Sequence, residues 1–461
     1  MKDKKPFFIG IGGSGMSSLA HILLDLKIEV KGYDKSSSDT VRKLEMRGAK
    51  ISHEPENIDL NEIDYIVYSS AVKDNHPLFK KALGEHKTLV HRSELLHELF
   101  SKKFSIAVAG SHGKTTTTAM TGQILLESGE RPSIMLGGEV GILNDRGGKW
   151  DNGKWGVYES DESDGTFLNH KADIKIVTNI DNDHLDHYKT VENLHEAFAR
   201  FIHNKKTSTT IAYLGDSGVE SAIDLLDDQK NIIGYVETSR VLSLSEKFPE
   251  LKIEPFEIFD NELSFYRNGF LRKIKLPFTG DHYLKNAFAA FLATEIAGVE
   301  PDKILESLEQ YNGVKRRLEH LGTVNNIHVY DDYGHHPTEI LAVIQSIKRM
   351  RPVGSKCCIL FQPHRYTRTR DHYLDFAKAL DDSDILFLLP IYSAGEIPIE
   401  GIATELIYDN LTNKDRTILL TGDIERDVPI IKKYILSGDY LVSLGAGNVR
   451  EWAENFLDKI K

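Results

Sequence analysis

Short apolar runs recur along this chain, each followed by a polar stretch with helical periodicity: PFFIGIG, EVKGYD and DYIVYSS first, then FSIAVAG, WGVYES and IKIVTNI, and later HVYDDY, KCCILF, ILFLLPIY and YLVSLGAG. Strands that alternate with helices predict parallel sheets joined by right-handed crossovers, so the expected fold class is α/β. One patch, from about Ile253 to Phe278 (KIEPFEIF, ELSFYRNG, RKIKLPF), reads instead as antiparallel strands inside the middle of the chain. Two charge-rich stretches interrupt the alternation, Ser101-Lys102-Lys103 and Asn312-Gly313-Val314-Lys315-Arg316-Arg317. Cuts there predict three domains, 1–103, 104–313 and 314–461, each long enough to close its own core. The sequence contains neither a tandem repeat nor a low-complexity segment.

Charge narrows the partners. The 57 Lys plus Arg against 69 Asp plus Glu give a formal net charge of −12 over 461 residues, which argues against general binding to nucleic acid or to anionic membranes. A phosphorylated ligand would have to be held by local sites against that field. Cys357 and Cys358 are adjacent in an apolar run, which suits a reducing compartment and offers neither a disulfide framework nor a CxxC metal pair. No run approaches the roughly 20 apolar residues that span a bilayer. The N-terminal MKDKKPFFIGIGGSGMSS breaks its apolar run with glycines, unlike a signal peptide, so a cytoplasmic protein without membrane insertion is expected.

Several loops carry candidate chemistry. Gly10-Ile11-Gly12-Gly13-Ser14-Gly15 follows a strand and opens a helix from Met16, so backbone amides can approach a diphosphate, and Asp34 ends the next strand where an acid usually meets a ribose. Taken alone, this reads as dinucleotide binding or as a tight turn without ligand. Ser69-Ser70-Ala71-Val72 follows another strand of the same block, within reach of the same ligand. Val108-Ala109-Gly110-Ser111-His112-Gly113-Lys114-Thr115-Thr116 has the order strand, glycine turn, GKTT and helix of a nucleotide loop, although Val108 stands where the full pattern wants glycine. There Lys114 would neutralise phosphate oxygens and the Thr115 hydroxyl would ligate Mg²⁺. Acidic runs after two strands, Glu159-Ser160-Asp161-Glu162-Ser163-Asp164 and Asp181-Asn182-Asp183-His184-Leu185-Asp186-His187, could supply its carboxylates or be solvated turns. His184 by composition is a helix-capping or structural histidine. In the last block Gln362-Pro363-His364-Arg365-Tyr366-Thr367-Arg368-Thr369-Arg370 follows a strand, and its guanidinium groups suit a carboxylate. His335 and His336 occupy the comparable loop after HVYDDY, and Leu444-Gly445-Ala446-Gly447-Asn448 is either an anion nest or a simple turn.

Together, GxGGxGM at 10–16, GSHGKTTTT at 110–118, ESDESDGTF at 159–167, TNIDNDHLDHY at 178–188, DDYGHHPTE at 331–339 and FQPHRYTRTR at 361–370 resemble the Mur ligase family, and its alanine-adding branch most closely. The resemblance covers nearly the whole chain in the family's order. It implies an N-terminal Rossmann-like domain, a central P-loop ATPase-like domain and a C-terminal Rossmann-like domain. It further implies ATP-dependent ligation of L-alanine to UDP-N-acetylmuramate in peptidoglycan precursor synthesis, with attachment of a whole tripeptide by a recycling ligase as the alternative. Under the resemblance the first loop binds the UDP end of the substrate, through Gly12, Gly13, Ser14, Gly15, Met16, Asp34, Ser69, Ser70 and Ala71. ATP falls on Gly110, Ser111, His112, Gly113, Lys114, Thr115 and Thr116, with Asn286, Arg317 and Asp332. Thr115, Glu159 and His184 match metal positions for Mg²⁺, with Mn²⁺ as an alternative, and Lys114, Glu159 and His184 the catalytic ones. His335, His364, Arg365 and Arg368 fall near the L-alanine end. The chain departs from the family at Tyr283, where close relatives have asparagine. The helix around Ala197 to Phe201 has no lysine to carry the carbamate of sister ligases. A monomer or homodimer is expected.

Overall fold

A computed structural model describes residues 4–205 and 207–461, and its strands form three sheets. By compactness the chain divides into two units, Met1–Pro277 with Tyr283–Asn312, and Phe278–His282 with Gly313–Lys461. The first unit holds two sheets, and Ser101–Lys103 lies between them.

The first sheet has the order β3-β2-β1-β4-β5, with β1 Pro6–Ile9, β2 Lys31–Tyr33, β3 Lys50–Ser52, β4 Tyr65–Tyr68 and β5 Thr88–His91, all parallel. The order reverses at β1, so the crevice past its C-terminal end, where Gly10–Gly15 lies, is the topological switch point that receives ligands in such sheets. Alternate residues of β1 serve two cores. Phe8 packs with Leu19 and Leu23 of the helix Ser14–Asp25, whereas Phe7 and Ile9 pack with Ile66, Leu78 and Phe79.

The second sheet runs β15-β14-β13-β12-β11-β10-β6-β9-β7-β8. Its strands are β6 Phe104–Ala109, β7 Ser133–Val140, β8 Arg146–Lys149, β9 Trp155–Glu159, β10 Ile174–Val177, β11 Thr209–Tyr213, β12 Ile232–Glu237, β13 Lys252–Phe259, β14 Glu262–Arg267 and β15 Phe270–Lys275. The patch read as antiparallel is so only in part: β13 still pairs parallel with β12, and the reversal begins at β14. At the opposite edge β8 pairs antiparallel with β7. One continuous core joins the two sheets, running from Leu19, Leu23, Leu99 and Phe100 to Met135, Tyr158 and Phe198. Beside it a half-buried polar chain ties the helix Ser14–Asp25 to the β7–β8 hairpin. Arg47 donates to His21 Nδ1 at 2.8 Å and to Asp25, and Asp25 also accepts from the backbone of Trp150. Burial and the Arg47 charge push the His21 imidazole down to about 3, so it stays neutral and accepts.

The second unit has the order β16-β17-β21-β18-β19-β20, with β16 Glu319–Val324, β17 Ile327–Asp332, β18 Cys357–Phe361, β19 Ile385–Leu388, β20 Thr417–Leu419 and β21 Tyr440–Leu444. Only β16 is antiparallel to its neighbour. Cys357 and Cys358 are buried strand residues of β18 with free thiols.

Candidate active site

β6 is apolar and fully covered from Ser105 onward, so the chain stays extended through Val108, and the turn starts only at Gly110. That is why valine is tolerated where the formal motif has glycine. Gly110 has φ +132°, and a Cβ there would stand 2.2 Å from Thr178 Oγ1, so the position requires glycine. Gly113, left-handed at φ +82°, is the N-cap of the helix Lys114–Glu127 and has no side-chain cap, which leaves that terminus to an anion. The loop is pinned from β10. The backbone amide of His112 donates to Asn179 Oδ1 at 2.8 Å, Thr178 Oγ1 donates to the His112 carbonyl at 2.6 Å, and the amide of Asp181 donates to Ser111 Oγ at 2.9 Å. His112 Nε2 lies 3.0 Å from Asp181. Thr116 is buried in the first turn, and Asn286, on the helix Asp281–Ile296, lies against Gly113, whose Cβ would stand 2.8 Å from Asn286 Oδ1. Tyr283 is buried nearly one turn earlier on the same helix.

Lys114 folds back over its own loop. Its Nζ donates to the Gly110 carbonyl at 2.6 Å and to Glu162 Oε1 at 2.8 Å. Burial pulls its pKa down, but Glu162, with Asp161 and Glu159 behind it, outweighs burial and holds the ammonium above its ordinary value. Thr115 Oγ1 donates to Glu159 Oε2 at 2.9 Å, and the Gly137 amide of β7 donates to the same oxygen at 2.8 Å. His184 has φ +59° and precedes the short helix Leu185–Tyr188. Its Nε2 lies 3.7 Å from Glu162 Oε1 and 3.7 Å from Asp183. Glu162 is therefore shared by Lys114 and His184, while Glu159 belongs to Thr115. The side chain of Asp186 lies outside the described residues.

At the first sheet, Gly13 is the N-cap of the helix Ser14–Asp25 without a side-chain cap, the Ser14 carbonyl accepts from Ser17 and Ser18, and Met16 is buried beneath. Asp34 does reach this loop: its Oδ2 accepts from the Gly12 amide at 2.8 Å, and a Cβ at Gly12 would strike it. Ser69 and Ala71 flank Ser70 on the turn after β4, where the Val72 amide donates to the Ser69 carbonyl at 2.9 Å. Ser70 donates to Asp164 and lies 3.1 Å from His91 Nε2.

Within the second unit, Asp332 ends β17 and accepts from the amides of Leu318 and Gly334, each at 2.6 Å. Burial raises its pKa to about 6 against the opposing Arg317. Arg317 lies 5.4 Å from the centre of the Tyr333 ring and 3.4 Å from Glu339. His335 Nδ1 is 3.0 Å from the Tyr333 carbonyl, and its ring meets that of His364 edge-on at 5.9 Å. His364 in turn stacks on Tyr392. Arg365, at φ +71°, precedes the helix Tyr366–Leu380, and Arg368 stands in its first turn. Burial and then these two arginines lower His364 to about 4, and burial lowers His335 to about 3. The expected histidines and arginines thus share one end of the sheet. The Gly445 and Gly447 carbonyls of the last loop both accept from Arg316, so it serves there as a turn with acceptors turned inward.

Thr178 and Asn179 open the TNIDNDHLDHY motif, yet their task, shaping the phosphate loop from the end of β10, is visible only in the structure. Arg92, in HRSELL, carries no motif and looks like any surface arginine until its contact with Asp161, 69 residues away, is seen.

Three family profiles match in succession: "Mur ligase family, catalytic domain" over residues 7–104, "Mur ligase middle domain" over 108–294 and "Mur ligase, glutamate ligase domain" over 316–447. The UDP-N-acetylmuramate–L-alanine ligase of Brucella anthropi is 36% identical over 455 residues, 97% of this chain and 95% of that protein. That of Aquifex aeolicus is 37% identical over 465 residues, 99% and 98%. Among solved structures, the UDP-N-acetylmuramate-alanine ligase MurC of Thermotoga maritima superposes with a TM-score of 0.79 at 26% identity, covering 99% of this chain and 98% of its own. A murein peptide ligase from Psychrobacter arcticus shares the fold, with a TM-score of 0.72 at 20% identity over 99% and 98% of the two chains. Matched in family order along most of its length, with a nucleotide loop built as the motifs imply, the chain belongs to the Mur ligase family.

Proposed function

We infer that this chain is an ATP-dependent ligase that joins L-alanine to UDP-N-acetylmuramate, in the cytoplasm and as a monomer or homodimer. The observation that supports it most is the phosphate loop in which Lys114 is held against Glu162 and Thr115 against Glu159, in a chain 36–37% identical end to end to proteins of that name. The work divides over the blocks 1–103, 104–313 and 314–461: hold the sugar nucleotide, activate its carboxylate, and deliver the amine.

ATP lies on Gly110–Thr116, with Asn286, Arg317 and Asp332 at its other contacts. The UDP end lies on Gly12–Met16, Asp34 and Ser69–Ala71. An oxygen of the lactyl carboxylate attacks the γ-phosphorus, the bond to ADP breaks, and an acyl phosphate forms. Lys114 Nζ, fixed inside the loop, balances charge on the phosphoryl oxygens. The L-alanine carboxylate pairs with Arg365 and Arg368 beside His335 and His364, which stay neutral and add no competing charge. The neutral amine then attacks the acyl carbon, phosphate leaves, the amine loses a proton and the amide remains. Holding the reactants in line supplies on the order of 7–11 kcal/mol that a bimolecular encounter would cost. The hard oxygens of Thr115 and Glu159, 2.9 Å apart, fit a Mg²⁺ or Mn²⁺ ion, which these two residues would hold, with His184 at a second metal position. Such an ion, when bound, offsets charge on the β- and γ-phosphate oxygens.

The test is phosphate release from ATP with UDP-N-acetylmuramate and, in turn, L-alanine, L-serine, glycine and the tripeptide of the recycling reaction. Release with L-alanine well above the others is expected. Release that depends on the tripeptide would replace this reading, and release with none of them would remove it.

A further inference from the structure

The acidic segment after β9 is met from the first sheet by a side chain to which the proposed chemistry gives no task. Arg92 directly follows β5, and its side chain is only 22% exposed. Its Nη2 donates to Asp161 Oδ2 at 2.5 Å, while Nη1 faces the glycine loop, where a Cβ on Gly15 would stand 2.7 Å away. One guanidinium therefore touches both the loop assigned to the sugar nucleotide and the segment whose Glu162 holds Lys114. Ser70, on the turn after β4, makes a parallel contact with Asp164 of the same segment.

The charges around Lys114 give this contact a purpose. Glu159, Asp161 and Glu162 act on that lysine, so the local sum is −3 + 1 = −2, at a place where two anionic substrates must converge. Arg92, although burial opposes its charge, is acted on by Asp161, then Asp164 and Glu159, so the segment, Asp164 included, sums with both cations to −4 + 2 = −2, where without Arg92 it would be −3. A planar fork with five donors can keep Asp161 on one nitrogen while another meets a phosphate oxygen beside Gly15.

We propose that Arg92 is a positioning residue that couples the two anion sites. A diphosphate seated at the glycine loop fixes the guanidinium, the fixed guanidinium holds Asp161 in its ion pair and away from the ATP phosphates, and each ligand thereby tightens the other. The proposal rests on the reading of Gly12–Met16 as the sugar-nucleotide loop.

Calorimetry on the full chain in Mg²⁺ buffer tests it, with UDP-N-acetylmuramate titrated in the presence and absence of a non-hydrolysable ATP analogue. In the native protein the analogue should tighten the sugar nucleotide roughly fivefold or more, and the reverse titration should give the same factor. Arg92→Gln should bring that factor close to one, Arg92→Lys should restore only part of it, and Asp161→Asn should abolish it with no further loss in the double variant. A purely structural role would lower the melting temperature and leave the factor intact, which would overturn the proposal. So would native protein that binds both ligands without coupling. If Arg92→Gln does not fold, Asp161→Asn decides alone, and retention of the native factor in it is likewise fatal. Failure of the native protein to bind UDP-N-acetylmuramate at all would remove the underlying assignment of the loop, and the coupling with it.

Discussion

Lys114 and Glu162 form an ion pair in which the acid is 1% exposed and one of its oxygens, Oε2, has no hydrogen-bonding partner among the described residues. Breaking such a pair from one side leaves an uncompensated buried charge, which costs about 3–5 kcal/mol. Lys114→Ala should therefore abolish product formation and also lower the melting temperature, and Glu162→Gln in the same chain should recover part of the stability but none of the activity. Binding of UDP-N-acetylmuramate, measured by calorimetry, should survive, and its loss in parallel with activity would contradict the division of labour. Arg368→Ala should raise KM for the amino acid more than KM for ATP in steady-state kinetics, and equal effects would place that side chain elsewhere. Sequence shows Lys114 and Thr115 because phosphate chemistry demands them at fixed spacing within one turn. It does not show that Lys114 pairs with Glu162 or that Arg92 pairs with Asp161, because contacts 48 and 69 residues apart leave no local pattern.

At the scale of elements, β1, β2, β4, β6, β9, β10, β17, β18, β19 and β21 were legible from their apolar runs, whereas the parallel strands β3, β5, β7, β11, β12 and β20 were not, and neither was β8. Its sequence, Arg146-Gly-Gly-Lys149, has almost no strand propensity, and its glycines answer to a neighbour rather than to the strand itself. A Cβ on Gly148 would stand 2.0 Å from the Ser18 carbonyl oxygen, and one on Gly147 would stand 2.2 Å from Ser18 Oγ. The helix that carries the glycine loop is thus seated directly on the β7–β8 hairpin, and β7 supplies the Gly137 amide that fixes Glu159. Gly148→Ala should destabilise the protein by about 1–3 kcal/mol through overpacking, read as a lower denaturant midpoint at unchanged slope. It should also weaken UDP-N-acetylmuramate binding, which alanine at the exposed Gly84, with open space around its Cβ, should not.

For the whole molecule, protonation sets the acid limit. Burial lowers His21 to about 3, His170 to about 4 and His335 to about 3, all below the ordinary histidine value. A depressed folded-state pKa means that the unfolded chain takes up the proton first, so the stability these groups lend is complete above about pH 6.5 and is lost as pH falls. Asp332, raised to about 6, works the other way, lending stability at low pH that is lost as pH rises through 6. With these three and His364, lowered to about 4, set against Asp332, stability read as melting temperature should fall between pH 7.5 and 5.5, by up to about 1.4 kcal/mol per pH unit for each histidine. His21→Gln should flatten part of that slope, and a profile unchanged by it would remove His21 from the account. We also expect hinge closure near Asn312–Arg317 on ligand binding, so that scattering profiles with and without all three ligands differ.

The core shared by the first two sheets bears on how the chain is made. When residues 1–103 have left the ribosome, the helix Ser14–Asp25 still lacks Met135 and Tyr158, the side chains that join its core to the second sheet, and Phe198 is further behind. At about 5–20 residues per second, an apolar face stays uncovered for several seconds in every round of synthesis. The first block should be a client of chaperones at that stage, and a fragment ending near Lys103 should aggregate where the longer fragment 1–312 stays in solution.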